Sequence, residues 1–302
     1  MTQLADKARP GVLGITVVDL DPHTRTRINA DRAYPMMSVF KAPVAAAVLA
    51  QIDEGRIAPG QEVTIDKEDV VGGAAVPSIG AHFKGKRMRF TVDRLLVAAV
   101  SESDNTAVDT LVRLVGGPRV VTTYLRKHRI DGMRVDLSEG DVSDIFEDTV
   151  KGQTIREDET EAAELARRRR GYQAYMADPR NRTTPDAAAD FLEKLWKGDL
   201  LSAASTKRLL GLMVDQTVPN RMRAGLPTGL RFADKCGTSY TLEGETAAFN
   251  DIGIVTWPDG HTVIVAAFLT GSQADQKARN ALFAEIGKLV AGTAPAPWRH
   301  PG

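Results

Sequence analysis

The chain has 302 residues, of which 43% are hydrophobic and 26% are charged, a composition typical of a globular protein with one large core or two coupled cores. Its formal net charge is zero, which argues against nucleic acid or an anionic membrane as a partner, because both normally require a basic excess or a basic face. No stretch approaches the roughly 18 continuous apolar residues of a membrane helix, so we expect no membrane span.

The first ten residues lack the apolar segment of a secretory signal, so we expect a cytoplasmic protein, or a periplasmic or secreted one if a signal has been removed. Cys236 is the single cysteine, which excludes an intrachain disulfide. The five histidines are scattered without metal-ligand spacing, and the sequence indicates neither a metal site nor another cofactor. We expect a monomer.

The patterns of secondary structure begin with a strand and continue with helices. Alternating, β-branched residues over 12–20 predict a strand, and the polar, glycine-rich stretch 53–87 shows few periodic signals. A short polar break at 101–105 separates two helical patterns. Helices are predicted over 43–51, 91–100, 106–115, 119–127, 160–176 and 185–196.

The last third of the chain changes character. Residues 229–240, 251–257 and 262–270 alternate as strands, and residues 273–290 predict a closing helix. We expect the first strand to join these three in one antiparallel sheet flanked by helices. This arrangement is an α/β (α+β) fold with an inserted all-helical lobe.

The predicted lobes form a single integrated catalytic domain. The sheet lobe is expected to contain residues 1–35 and 206–302, and the helical lobe residues 36–205. Because clefts between such lobes often hold small-molecule sites, we expect the active site there.

Ser38 and Lys41 form an S-x-x-K motif where the first predicted helix begins. Residues three apart on a helix share a face, so the Lys41 amine can reach the Ser38 hydroxyl. A serine hydroxyl is a weak nucleophile unless a neighbouring base removes its proton, and a lysine in a low-dielectric site can do so. The tetrapeptide alone also arises readily by chance, so a catalytic role for Ser38 and Lys41 needs support from other motifs.

Two further motifs follow it. Ser103 and Asn105 belong to an S-D-N string in the polar break, and Lys235, Gly237 and Thr238 belong to a K-C-G-T string on a predicted strand. In order and approximate separation, the three motifs resemble those of the active-site serine hydrolases that include class A β-lactamases and penicillin-binding proteins. Similar strings spread the resemblance to a class A β-lactamase over nearly the whole chain, at 116–118, 178–185, 223–227 and 250–258.

The resemblance implies a role for each catalytic residue. Ser38 attacks an activated amide carbonyl while Lys41 accepts its proton. The backbone N–H groups of Ser38 and Thr238 form the oxyanion hole for the developing negative charge. Ser103 passes a proton to the leaving nitrogen, and its alternative is a helix-capping serine.

The remaining residues are implied to bind the substrate. Asn105 holds the substrate amide and orients the catalytic lysine, and Lys235 places positive charge near the substrate carboxylate, with Gly237 beside it. Arg221 is the candidate bidentate partner of that carboxylate, because Asn250 stands where other members carry an arginine. The alternative for Asn105 is a local turn residue, for Lys235 a solvated strand lysine and for Arg221 a surface arginine.

Deacylation separates a β-lactamase from a penicillin-binding protein, because only the first has a carboxylate that activates water against the acyl ester. Glu139 is the candidate, since residues 134–139 match the run that leads into the glutamate of the omega loop. Gly140 and Ser143 then replace the usual proline and asparagine. A missing base is one alternative, and other acidic residues are further candidates: Glu147, Asp148 and Glu157.

The omega loop departs further from the family pattern. It carries an insertion over 144–176 that contains a helical stretch of its own. This stretch predicts that the insertion is an ordered extension of the loop. The basic run 167–170 is predicted to be a solvated helix face. Leu137 and Asn181 occupy the positions of the arginine and aspartate that usually brace the loop, and losing both leaves no charge unpaired.

Two departures lie near the K-C-G-T motif. Cys236 stands where a threonine or serine normally hydrogen-bonds the substrate carboxylate, and a thiol is a weaker donor. The longer loop 239–249 borders the same cleft and is expected to reshape it.

Three functions fit these observations. The first is a class A type serine β-lactamase that opens β-lactam amides through an acyl-enzyme on Ser38. The second is a related amidase, esterase or acyltransferase that deacylates β-lactams poorly. The third is a binding protein that keeps a β-lactam as a stable adduct. The expected partner is a small β-lactam or a related amide or ester, and the complete motifs favour the first function.

Overall fold

The computed structural model describes residues 2–293 except 75, 77, 151, 152, 154, 156, 157, 219 and 220. Within them, no helix is long and apolar enough to cross a bilayer. The strands are β1 (Val12–Asp19), β2 (Thr24–Ile28), β3 (Tyr34–Pro35), β4 (Glu62–Asp66), β5 (Arg87–Thr91), β6 (Arg182–Thr183), β7 (Arg231–Thr238), β8 (Thr241–Leu242), β9 (Glu245–Thr246), β10 (Phe249–Thr256) and β11 (Thr262–Thr270).

The helices surround these strands. Short 3-10 helices cover Met37–Phe40, Lys67–Asp69 and Arg221–Gly225. The α-helices are α1 (Thr2–Lys7), α2 (Lys41–Asp53), α3 (Val92–Val100), α4 (Asn105–Val115), α5 (Pro118–Lys127), α6 (Glu139–Phe146), α7 (Glu161–Ala177), α8 (Pro185–Lys197), α9 (Ala203–Val214) and α10 (Gln276–Ala291).

One antiparallel sheet organises the molecule, in the order β2–β1–β11–β10–β7. The first strand lies beside the last, with Val12 opposite Thr270 and Asp19 opposite Val263. The predicted antiparallel sheet and the α/β (α+β) fold are therefore confirmed. The edge strand β2 was not predicted, because its residues are polar and mostly exposed.

Apolar side chains cover both faces of this sheet. One face, which includes Ile264 and Phe268, shares a core with the helical part of the chain. The other face, which includes Val265, packs on α1 through Leu4 and on α10 through Phe283. Because alternate residues of a strand point to opposite faces, β11 is buried along its whole length.

Helix α2 crosses the first core. All but one of its alanine and valine side chains are buried, which is typical of a helix enclosed by neighbours. Its first residue, Lys41, directly follows the 3-10 helix Met37–Phe40, and this 3-10 helix contacts β7. The S-x-x-K motif therefore lies where the central helix meets the edge of the sheet.

The segment predicted to be all-helical also contains strands. Strands β4 and β5 pair antiparallel in and beside the stretch that shows few periodic signals. Each has five residues with only two apolar positions, which is a weak pattern. Helix α9 runs across the predicted lobe boundary at 205/206, and α8 contacts β1 and β11. The division into 1–35 with 206–302 and 36–205 stays a prediction.

The insertion over 144–176 contains helix α7, which packs against α6. Gly171 allows the two helices to approach closely, since a Cβ there would overlap Phe146 O and lie 2.6 Å from Ile145 O. The side chain of Arg167 is only 11% exposed, unlike the rest of the predicted solvated face. Ion pairs tie the basic run to its surroundings: Arg167 to Glu147 and Glu159, Arg168 to Glu164, Arg169 to Glu243, and Arg170 to Asp148.

We expect Gly171→Ala to lower the free energy of unfolding by about 1–3 kcal/mol, because the added methyl group forces α7 away from the backbone of α6. Urea unfolding measures this change. The matched control is Gly211→Ala in α9, where a Cβ meets nothing within 4 Å. This control should be neutral or stabilising by up to about 1 kcal/mol, since alanine favours a helix more than glycine does. Equal effects of the two substitutions would contradict close packing at Gly171.

Candidate active site

Ser38 lies in the 3-10 helix that leads into α2, directly after Met37, whose φ of 46° is in the left-handed region. Its hydroxyl donates to Glu139 Oε1 at 3.2 Å, and Lys41 Nζ lies 3.2 Å from the same oxygen. Within the described part of the chain, no hydrogen bond joins Ser38 to Lys41 directly. The carboxylate oxygen of Glu139 instead contacts both groups.

Lys41 is fully buried and its amine is surrounded by oxygens. It donates to Ser103 O at 2.7 Å, to Asn105 Oδ1 at 2.6 Å and to Ser103 Oγ at 3.4 Å, and it forms an ion pair with Glu139 at 3.2 Å. Three acceptors match the three donors of an ammonium group. The amine therefore links α2, the polar break and α6.

Both the oxygen and the nitrogen of the Asn105 side-chain amide form hydrogen bonds. Its Oδ1 accepts from Lys41, and its Nδ2 donates to Gly72 O at 2.7 Å. One N–H of the amide remains for another acceptor. Asn105 also faces the cavity beside Ser38, as expected for a substrate-binding residue.

Glu139 is the first residue of α6, and its position is fixed by the start of that helix. Ser138 caps the helix and forms a capping box with Asp141. The carboxylate of Asp109 accepts from the backbone N–H groups of Glu139 at 2.7 Å and Gly140 at 2.8 Å. Burial raises the pKa of Asp109 to about 7, against the opposing effect of these two hydrogen bonds.

An amide braces the loop where other members have an ion pair. Asn181 Oδ1 accepts from the N–H groups of Asp136 at 2.7 Å and Leu137 at 3.0 Å, and its Nδ2 donates to Leu137 O at 3.0 Å. Asn181 is buried with a φ of 49°, a conformation that asparagine tolerates better than most residues. A neutral side chain thus holds the loop without burying charges.

The other candidate bases point elsewhere. Glu147 pairs with Arg167 at 2.7 Å and Asp148 with Arg170 at 2.8 Å, and neither lines the cavity that contains Ser38. Glu157 lies outside the described residues. Of the candidate acids that the structure describes, Glu139 alone reaches the serine.

Ser103 occupies a strained position, with a φ of 56°. The helix cap of α4 is Asp104, which accepts from Ala107 N at 2.7 Å, so the capping alternative for Ser103 is wrong. Its hydroxyl accepts from Lys235 Nζ at 3.0 Å and lies 3.4 Å from Lys41 Nζ. Burial lowers the pKa of Lys235 to about 8, so this lysine is not a solvated strand residue.

Gly237 allows β7 to approach the nucleophile. A Cβ at this position would lie 2.6 Å from Met36 O and 3.0 Å from Ser38 N. Asn250 strengthens the junction, since its Nδ2 donates to Pro35 O at 2.7 Å and to Met36 O at 3.1 Å. The backbone of the strand therefore passes directly beside the backbone of Ser38.

Arg221 is buried against the same strand and is not a surface arginine. Its guanidinium donates to Gly237 O at 3.0 Å, to Asn250 O and to Thr238 Oγ1, and it stacks 4.0 Å from the ring centre of Phe249. Most of its donors are thus satisfied within the protein. These contacts also orient Thr238, and the bidentate bond of Arg221 to a substrate carboxylate stays a prediction.

These side chains surround a cavity of about 270 Å³ between the sheet and the helices. Its lining includes Cys236 and Tyr240, whose exposed ring stands edge-on against Phe146 with ring centres 5.3 Å apart. No cluster suited to a metal ion occurs among the residues that the structure describes. The predicted residues that line the cavity are Ser38, Ser103, Asn105, Glu139, Arg221, Gly237 and Thr238, with Lys41 and Lys235 buried beneath them.

Sequence reasoning missed the residues that hold the site in place. Asp109 lies four positions after Asn105, on the same face of α4, and this spacing is a signal that points to it. Asn250 and Tyr240 carried no such signal, because their contacts join segments far apart in the chain.

Comparisons with known proteins agree with this geometry. A sequence model described as the Beta-lactamase enzyme family matches residues 1–294. The extended-spectrum beta-lactamase PER-1 of Pseudomonas aeruginosa is 32% identical over 288 residues, which are 95% of this chain and 83% of that protein. A beta-lactamase structure from Chitinophaga pinensis DSM 2588 covers 97% of both chains with a TM-score of 0.81 and 29% identity. An ancestral (GNCA) class A beta-lactamase covers 97% of this chain and 98% of its own, with a TM-score of 0.78 and 34% identity.

We expect Asn181→Ala to lower the free energy of unfolding by about 2–3 kcal/mol, because it removes buried hydrogen bonds worth about 1 kcal/mol each and strains a positive φ. Asn181→Gly relieves the strain but also loses the amide, so it separates the two causes. Chemical denaturation of both variants measures them. A glycine variant as stable as the parent would show that the amide does not stabilise the loop.

Proposed function

The chain belongs to the beta-lactamase enzyme family, and we propose that it hydrolyses β-lactam amides through an acyl-enzyme on Ser38. One observation carries this proposal: Glu139 Oε1 lies 3.2 Å from both Ser38 Oγ and Lys41 Nζ at the wall of the cavity. A carboxylate in this place can take a proton from the serine and, after acylation, from a water molecule.

Acylation requires a proton acceptor for Ser38. The serine hydroxyl donates to Glu139, whereas the Lys41 amine is engaged by Ser103 and Asn105 and pairs with Glu139. We therefore assign the first proton transfer to Glu139, with the Lys41 charge stabilising the carboxylate and the oxygens around it. The role of Lys41 as acceptor, which the family resemblance implies, stays the alternative, and it requires the amine to release one of its oxygens.

The close approach of β7 supports an oxyanion hole at this end of the cavity. Gly237 brings the strand against Ser38 N, and Thr238 follows on the same strand. The backbone N–H groups of Ser38 and Thr238 are therefore our candidates for binding the oxygen of the attacked carbonyl. Such donors are most effective where, as here, they are fixed before the reaction begins.

The leaving nitrogen needs a proton from the opposite side. Ser103 is placed for this step, since its hydroxyl accepts from Lys235 at 3.0 Å and faces the cavity. The lowered pKa of Lys235 allows this amine to replace the proton that Ser103 donates. Arg221 is a buried cation that donates to the Thr238 hydroxyl, and Lys235 is a second buried cation next to Ser103, so this end of the cavity favours an anionic substrate group.

A second candidate function is hydrolysis of another amide or ester, with slow release of β-lactams. The surroundings of Glu139 favour it: Ser143 lines the cavity where an asparagine usually holds the water. Tyr240 also narrows the opening, because its hydroxyl lies 3.1 Å from the place of a Cβ on Gly73. We further propose that the protein works as a monomer.

Turnover of a penicillin and of a chromogenic cephalosporin, followed together with the intact mass of the protein, tests the proposal. We expect steady turnover that Ser38→Ala lowers by about 10³-fold or more, because the nucleophile is lost. A single burst with a persistent added mass would indicate a binding protein instead. Absence of both turnover and adduct would overturn the proposal and leave the second candidate function.

Glu139→Gln should both slow acylation and leave the acyl-enzyme undegraded, because one carboxylate serves both steps. Rapid-mixing kinetics and mass measurements separate the two rates. If the variant acylates at the parent rate but accumulates adduct, Lys41 is the acceptor in the first step. The matched control is Glu147→Gln, whose carboxylate pairs with Arg167 outside the cavity and whose loss should leave turnover nearly unchanged.

Substrate binding should weaken as the pH rises through about 8, because burial lowers the pKa of Lys235 to about 8 and the amine loses its charge above that pH. We expect KM for an anionic β-lactam to rise on that limb of the profile. Lys235→Arg keeps its charge at high pH and should move the limb upward. An unchanged limb in this variant would assign the titration to another group.

A further inference from the structure

A second cavity, of about 350 Å³, lies between the end of α8, helix α9 and the start of β7. It shares no lining residue with the cavity that contains Ser38. Helix α8 ends at Gly198 in a left-handed conformation, which turns the chain away before α9 begins at Ala203. The turn and the small side chain of Ala233 leave room over the sheet.

The floor of this second cavity is apolar. Ala233 and Ile254 come from neighbouring strands, and Leu210 and Val214 come from one face of α9. The ring of Trp196 stands at the wall and is 37% exposed, which is unusual for so large an apolar side chain. A flat hydrophobic group would bury this surface.

The rim of the second cavity is basic. Of its described lining residues three are cations, Lys197, Lys207 and Arg231, and none is acidic. Lys197 pairs with Glu193 at 2.6 Å. No described residue forms an ion pair or a side-chain hydrogen bond with Lys207 or Arg231, and both are exposed. Lys207 and Arg231, at the mouth of an apolar cavity, therefore have no anionic partner among the described residues.

We propose that the second cavity binds small organic anions with an apolar body, such as an aryl or medium-chain carboxylate. The apolar body lies on Ala233, Ile254 and Leu210 against the ring of Trp196, and the carboxylate meets Lys207 and Arg231. A guanidinium binds a carboxylate through two parallel hydrogen bonds. The volume lies within the range of known small-molecule sites, and the assignment does not depend on the reaction at Ser38.

Calorimetric titration with 2-naphthoate tests this proposal, with the neutral 2-naphthamide as the matched ligand. We expect saturable binding of one naphthoate per chain, and binding of the amide at least about tenfold weaker, because it cannot pair with the two cations. Equal affinity for both ligands, or no saturation at millimolar naphthoate, would overturn the proposal.

Substitutions in the second cavity test whether the naphthoate binds there. The double variant Lys207→Gln with Arg231→Gln should raise the dissociation constant about tenfold. Removing two exposed cations outside the cavity, by Arg119→Gln with Lys127→Gln, should leave it unchanged. Ala203→Phe at the exposed start of α9 should fill the cavity and abolish binding. Binding that these three cavity substitutions leave intact, and that a β-lactam competes away, would place the naphthoate at Ser38 and contradict the assignment.

Discussion

The burial of the Lys41 ammonium is the constraint on which the site depends. A charge without solvent must be surrounded by acceptors, since an unpaired buried charge costs several kcal/mol or more. The oxygens around it come from three places in the fold: Ser103, the amide of Asn105 and the carboxylate of Glu139. Lys41 Nζ thus joins helix α2, the polar break at 101–105 and the omega loop. Ser38 lies beside that atom because it precedes Lys41 by one helical turn.

The omega loop reaches this atom by means that differ from the family pattern. Its usual ion pair is absent, and the neutral amide of Asn181 forms three hydrogen bonds with the loop backbone. Asp109 then anchors the amino end of α6, where a carboxylate is favoured by the free N–H groups and by the helix dipole. The insertion packs α7 on α6 and is held by the ion pairs of its arginines. A rebuilt loop therefore still presents Glu139 to the serine.

The other side of the site is built from buried cations. Lys235 lies under Ser103, and Arg221 is stacked on Phe249 with its donors turned toward β7. Strand β7, which carries Lys235, has to approach the nucleophile closely, which Gly237 permits and the amide of Asn250 secures. Lys235 and the Thr238 hydroxyl that Arg221 contacts therefore both lie on β7. The second cavity begins on this strand as well, at Ala233.

The sequence by itself determined the fold class and the antiparallel sheet that holds the first strand and the last three, because local periodicity is written in neighbouring residues, and its motif order predicted which residues form the site. It also singled out Glu139 from the run that precedes it. Only the tertiary structure decided that Glu139 contacts both Ser38 and Lys41, that Arg221 donates to the protein's own backbone, and that the Asn181 amide bonds the backbone of the loop. These outcomes depend on distances between segments far apart in the chain, and such distances are set by packing and by the need to satisfy buried polar groups.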